Sequence, residues 1–170
     1  MNTLIGVLST LLVLSANGQV QKDTLSIGWK DLVGVWQRNY KEAGNGLLQN
    51  FRFFSDSTFE VHFTDPGEDV RTIRQLKGSY RLDKKLLYLT IKSRVVYEGG
   101  EIYIIESIED ANIFELANGT LKEIKEPNPK ESKVPILITV ISKAKVTFDN
   151  ETYYKMRKED LMHEGITGKF

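Results

Sequence analysis

Apolar and polar residues alternate with a period of two through most of the chain. Phe51 and Phe53 flank Arg52, Phe59, Val61 and Phe63 are spaced by Glu60 and His62, and Leu87, Leu89 and Ile91 share one face of a later segment. Such alternation sets one row of side chains against a core and the other in water, so these segments read as half-buried strands. Strands are predicted near 34–40, 47–54, 58–64, 70–82, 85–91, 94–98, 101–108, 112–117, 135–142, 145–149 and 151–157. That is more than the eight of a small barrel, which leaves room for two neighbours to be one bent strand, or for a short piece to lie outside.

The breaks between these runs have turn chemistry: Ser55-Asp56-Ser57, Asp65-Pro66-Gly67, Asp83-Lys84-Lys85, Asn118-Gly119 and Asp149-Asn150. Gly99-Gly100 reads as a two-residue hairpin, because glycine accepts the positive φ of such turns. Gly78, inside the long fourth segment, marks a bulge or sharp bend. Helix is scarce, with short turns expected at 26–32 and 158–163. Many short strands without intervening helices predict an all-β fold, a single antiparallel barrel or a sandwich.

Residues 118–134 break the alternation. Lys122, Glu123, Lys125, Glu126, Lys130, Glu131 and Lys133 are interleaved there with Pro127 and Pro129. The stretch is expected to be a solvated, charged loop; its functional alternative is a flap over a barrel mouth.

Residues 4–14 are apolar except for Gly6, Ser9 and Thr10, and Ala16 and Gly18 supply small residues before Gln19. This predicts a signal peptide over 1–18, cleaved between Gly18 and Gln19, although no Lys or Arg precedes Lys22. The run is about half the ~20 residues of a spanning helix, so no integral membrane anchor is expected. Residues 19–170 then form one domain, secreted or periplasmic, long enough to bury roughly 70% of its unfolded surface.

The absence of cysteine excludes disulfides and thiolate metal sites. With 23 basic and 23 acidic residues the formal charge is zero, and no global field favours nucleic acid. Locally, a basic run from Arg71 to Arg94 lies between acidic stretches, and no Lys or Arg occurs between Val95 and Leu121. A meander would lay these blocks side by side, pairing opposite charges across strands rather than making a polyanion site.

The chain resembles the lipocalin-like secreted proteins of bacteria, of the Bacteroidetes type, over about residues 29–157. The matching stretches are Leu32-Val33-Gly34-Val35-Trp36, Phe53-Phe54-Ser55-Asp56-Ser57-Thr58-Phe59, Gly78-Ser79-Tyr80-Arg81-Leu82-Asp83 and Tyr153-Tyr154-Lys155-Met156-Arg157. The resemblance implies an up-and-down antiparallel β-barrel of about eight strands, filled by its own side chains or holding one small ligand. It also implies barrel closure by Trp36, entered through Gly34 and packed against a basic residue of the last strand, Lys155 or Arg157.

The inward phase of such a barrel comprises Phe51, Phe53, Phe59, Val61, Phe63, Leu76, Tyr80, Leu87, Leu89, Ile102 and Ile104, a lining that suits an apolar ligand and equally a packed core. Two charges fall on this phase. Arg74 alternates with Leu76 and Tyr80, and Glu106 alternates with Ile102 and Ile104, so each is expected to pair, to reach rim water, or to hold a ligand head group.

No cofactor or metal is implied: His62 and His163 are the only histidines, and His62 falls on the outward phase beside Glu60. Elbow, phosphate-loop and zinc-helix motifs are all missing, so enzymatic chemistry is not expected; a carboxylate pair converging from distant strands is the minor alternative. The expected function is to carry or sense a small apolar or amphipathic molecule. The alternative is a filled barrel that contacts another envelope protein.

Overall fold

The computed structural model describes residues 26–42, 48–63, 68–69, 72–108, 111–163, 165–166 and 170. The signal peptide expected over 1–18, with its cleavage between Gly18 and Gln19, and the turn expected at 65–67 lie outside the described residues.

A helical turn, α1 (Trp29–Leu32), precedes β1 (Gly34–Arg38), β2 (Asn50–Phe53), β3 (Thr58–His62), β4 (Glu68–Asp69), β5 (Ile73–Asp83), β6 (Leu86–Glu98), β7 (Glu101–Ile108), β8 (Ala111–Ala117), β9 (Thr120–Lys125), β10 (Ile136–Ser142), β11 (Lys145–Phe148) and β12 (Glu151–Lys155). A second helix, α2 (Lys158–His163), follows. Eight strands close an antiparallel barrel in the order β1-β2-β3-β5-β6-β10-β11-β12 and back to β1. The seam between β6 and β10 is short, Leu87 opposite Ile136 and Leu86 opposite Leu137.

The inward phase fills the barrel on the α1 side. Trp36, Phe53, Phe59, Leu87, Ile138 and Val146 are buried, and Phe51, Val61, Tyr80, Phe148 and Tyr153 nearly so. Their rings interlock: Phe51 stacks on Phe53 at 5.6 Å, and Phe148 meets Phe51 edge-on at 5.1 Å. Burying each such side chain contributes about 1.5–3 kcal/mol. Gly78 lies at a register shift between β5 and β6, and a β-carbon there would strike the carbonyl of Thr90; the irregularity expected at Gly78 is present, but the bulged residue belongs to the facing strand, β6, not to β5.

The segments 85–91 and 94–98 are one strand, β6, the joining of two neighbours that the surplus over eight strands left room for, bent where Lys92 is bulged out between Ile91, opposite Gly78, and Ser93, opposite Lys77. Two expectations change. Gly99-Gly100 does not reverse the chain, and β6 and β7 do not pair. Instead β6 pairs with β9 from Ser93–Lys125 to Glu98–Thr120, and the ladder resumes in β7 and β8 from Glu101–Ala117 to Ile108–Ala111. The two glycines, at φ 71° and 94°, and Asn118, at φ 62°, form a kink midway along one long ribbon. Packing dictates this: a β-carbon on Gly119 would collide with the Tyr97 ring, and one on Gly100 would collide with the Ala117 carbonyl and crowd the same ring, whose hydroxyl accepts from the Gly119 amide at 2.9 Å.

The second change concerns 118–134, which is not a free loop. Its first half is β9, and its second half returns to the barrel through a bridge between Glu131 and Thr90 and a bond from the Ser132 amide to the Leu89 carbonyl at 2.8 Å. Glu101, Glu106 and Glu115 are therefore carried away from the basic strands on the outer part of the ribbon, where β4 joins β8 in parallel. Opposite charges do meet on the barrel wall, Lys77 with Glu123 at 3.5 Å and Lys122 with Glu98 at 3.1 Å.

Candidate binding site at the barrel mouth

A register row runs around the barrel through Trp36, Phe51, Val61 and Leu76, and on through Arg94 to Ile124. The first three members are core. Beyond Leu76 the wall passes from β6 to β9 rather than to β10, and the row faces an open cavity of about 360 Å³. It lies at the barrel end opposite α1, where β6 leaves the closed part.

The cavity exists because the two walls disagree in length. Between Ser93–Lys125 and Thr90–Glu131, β6 supplies only residues 91 and 92, whereas the facing strand supplies 126–130. The surplus, with two prolines, loops out as a wide bulge. Its ends are fastened: the Glu126 amide donates to the Lys92 carbonyl at 2.7 Å, and Arg81 grips Glu131 with two bonds of 3.0 and 2.9 Å while stacking on Tyr88. The Arg81 grip holds the Glu131 carboxyl below the ordinary glutamate range by direct hydrogen bonding.

Ile73, Leu76, Ile91 and Ile124 form the apolar surface of the cavity, with Arg94, Lys130, Glu126, Asn128 and Ser93 around it. Ile73 and Ile91 keep 39% and 38% of their surface, high for branched side chains in a concavity. Glu126 is the only acid among the lining residues, and among the described residues no acid pairs with Arg94 or Lys130. The Ser93 hydroxyl points elsewhere, to Glu123, whose carboxyl is lowered chiefly by that bond.

The residues read as a barrel lining divide into three groups. Phe51, Phe53, Phe59, Val61 and Tyr80 are core, the Tyr80 hydroxyl donating to the Phe54 carbonyl at 3.1 Å, and Phe63 and Leu89 pack against that core. Arg74 is half-buried with its guanidinium 5.2 Å over the Tyr97 ring and does not line the cavity. Ile104 and Glu106 are not in the barrel: both lie on β7, where Ile104 is 59% exposed and Ile102 62%.

Arg94 is the residue that alternation concealed. Counting by twos from Leu87 puts Ser93 inward and Arg94 outward, but the bulge at Lys92 reverses the phase. A second shift, Ile73 opposite Val96 and Gln75 opposite Val95, gives Ile73 the cavity-facing place that alternation assigns to Arg74.

At the other end, the closure forms around Trp36. Its indole donates to the Leu32 carbonyl at 2.7 Å, and the Lys155 ammonium lies 5.4 Å over the ring while donating to the Asp31 carbonyl at 2.6 Å. Burial lowers the Lys155 pKa, with Asp31 opposing. Of the two candidate cations Lys155 fills the role; Arg157 is exposed and paired with Asp160 at 3.0 Å. A smaller cavity of about 300 Å³ beside Lys155 is lined by Ile27, Asp31 and Val140 among others.

On the outer wall His62 Nε2 lies 2.9 Å from Glu60, as its phase required. Among the described residues no three His, Asp or Glu side chains converge on a metal position, and no helix is long and apolar enough to cross a membrane. No family model, curated protein or solved structure matches the chain.

Proposed function

We propose that the protein is a secreted or periplasmic, lipocalin-like barrel that binds a small amphipathic anion at its mouth. The carrying observation is the juxtaposition of Ile73, Leu76, Ile91 and Ile124, open to solvent in one concavity, with the cations Arg94 and Lys130 at its edge. Exposed apolar surface in a cavity of about 360 Å³ is the usual material of a small-molecule site, and guanidinium offers a carboxylate two parallel bonds. The aromatic core leaves the ligand on the last turns of the wall rather than deep in the barrel, so a short or medium acyl chain fits better than a long one.

Calorimetric titration with decanoate tests this. Saturable binding that weakens at least tenfold in Arg94→Ala and again in Lys130→Ala is the expected result. No binding below the high-micromolar range would remove the proposal. Decanol in place of decanoate keeps the chain and drops the charge, and should bind much more weakly.

The packed interior also supports a second reading, a filled barrel that contacts another protein of the envelope. The surface that favours it is the projecting ribbon.

A further inference from the structure

The outer half of the ribbon, β7 and β8 with β4 alongside, is a three-stranded sheet in the order β4-β8-β7, so among the described residues β7 is an edge. Edge strands expose a row of unpaired amides and carbonyls, and proteins ordinarily guard them with lysine, proline or covering structure. β7, Glu-Ile-Tyr-Ile-Ile-Glu-Ser-Ile, has neither lysine nor proline; a bulge at Ile105, which is another way of guarding an edge, interrupts its ladder with β8, so the regular open edge is 101–104. The edge strand β9, by contrast, carries Lys122 and Lys125.

The two faces of β7 differ. Ile102 and Ile104, among the most exposed large apolar residues of the chain, occupy one face, with Leu116 and Phe114 opposite them in register. Glu101 and Tyr103 occupy the other, joined by a 2.6 Å bond from the Tyr103 hydroxyl to the Glu101 carboxylate, with Glu115 in register across the ladder. The three strands together contain Glu68, Asp69, Glu101, Glu106 and Glu115, and no Lys or Arg.

We propose that β7 is a docking edge for an extended, basic protein segment in which Lys or Arg alternates with branched apolar residues. The segment adds as a fourth strand beside β7. Its apolar residues extend the Ile102–Ile104 face and its cations extend the Glu101–Tyr103 face, while the main chain fills the open hydrogen-bonding row. Charge decides the occupant. A second copy pairing β7 with β7 would bring two acidic strands together, and like charges across a ladder are unfavourable; a basic strand reverses that sign. The inference gives chemical content to the protein-contact reading and is independent of the mouth cavity.

The test uses the full mature chain and two labelled nine-residue peptides, one alternating Lys and Val, the other Glu and Val. Fluorescence anisotropy should show saturable binding of the basic peptide, weakened several-fold between low and physiological salt, and none of the acidic one. Hydrogen exchange should slow at residues 101–108 when the basic peptide is bound. The double variant Ile102→Lys, Ile104→Lys should weaken binding at least tenfold, whereas Leu137→Lys on the barrel wall should not. Unchanged fluorescence of the buried Trp36 verifies that the barrel remains folded in each variant. Equal binding of both peptides, binding that survives the double variant, or protection of β9 instead of β7 would overturn the proposal. So would a concentration-dependent dimer that the double variant dissolves, which would assign the edge to a second copy. Decanoate binding is expected to be the same in the double variant, which keeps the two sites' outcomes separate.

Discussion

Lys155 reaches the face of Trp36 by lying across the α-carbon of Gly34. A β-carbon on Gly34 would stand 2.9 Å from Lys155 Cε, and Gly34 itself holds φ at 132°, a conformation that side chains rarely adopt. The first strand, the last strand and the helical turn between Gly28 and Val33 are thus locked at one point, with the ammonium bonded to Asp31 and the indole to Leu32.

Trp36→Ala is expected to cost about 3–5 kcal/mol in urea denaturation, as for other buried aromatics. The loss should be of stability, with decanoate affinity per folded molecule unchanged, because Trp36 lies at the α1 end and does not line the mouth cavity. A cost below about 1 kcal/mol would mean that Trp36 does not close the barrel.

Gly34→Ala should cost about 1–3 kcal/mol through backbone strain, plus the displacement of Lys155. In the Lys155→Ala background the displacement disappears and the strain remains. A double-mutant cycle should therefore show coupling between the two positions; strictly additive costs would show that they do not touch.

Glu60 sets part of the acid limit. Its carboxyl is held below the ordinary glutamate range, first by the hydrogen bond from His62, against the opposing effect of burial, with His62, Lys77 and Arg52 adding attraction. A depressed value in the folded state means that the unfolded chain takes up the proton first as pH falls. The contribution is complete above about pH 4.3, the ordinary glutamate value, and is lost as pH falls through the folded value. Glu60→Gln should flatten the decline of melting temperature below that point relative to the native chain. An identical acid limb in both would show that other carboxylates carry it.

Most of the barrel was legible from alternation and turn residues; the place of Trp36 at its end came from the resemblance, not from the pattern. What was not legible follows from three local departures. A single bulged residue, Lys92, inverts the phase and hides Arg94; another shift trades Arg74 for Ile73. Period two reports that Ile102 and Ile104 share a face, but not that their strand has left the barrel. Gly99-Gly100 satisfies a tight hairpin and a kink equally well in sequence, and only the fit of Tyr97 against Gly100 and Gly119 distinguishes them. β9 was concealed by Lys122, Glu123 and Lys125, residues that an exposed edge strand favours and that otherwise read as loop.

The Arg81–Glu131 pair makes the final prediction, because it anchors the bulge without supporting the core. Both side chains are about half exposed, so their bonds compete with water and contribute little to global stability. Their position matters more than their energy: Glu131 is where the strand containing Pro127 and Pro129 returns to β6, and Lys130, one residue earlier, lines the cavity. Arg81→Ala should leave the melting temperature nearly unchanged, yet speed hydrogen exchange at the Ser132 amide, which bonds the Leu89 carbonyl beside the bridge. Decanoate affinity should fall several-fold as Lys130 loses its fixed place, and Arg81→Lys should restore it only in part, since a single ammonium cannot reproduce the two bonds of the guanidinium. A loss of melting temperature with unchanged exchange at Ser132 would instead place Arg81 among the residues that hold the barrel wall.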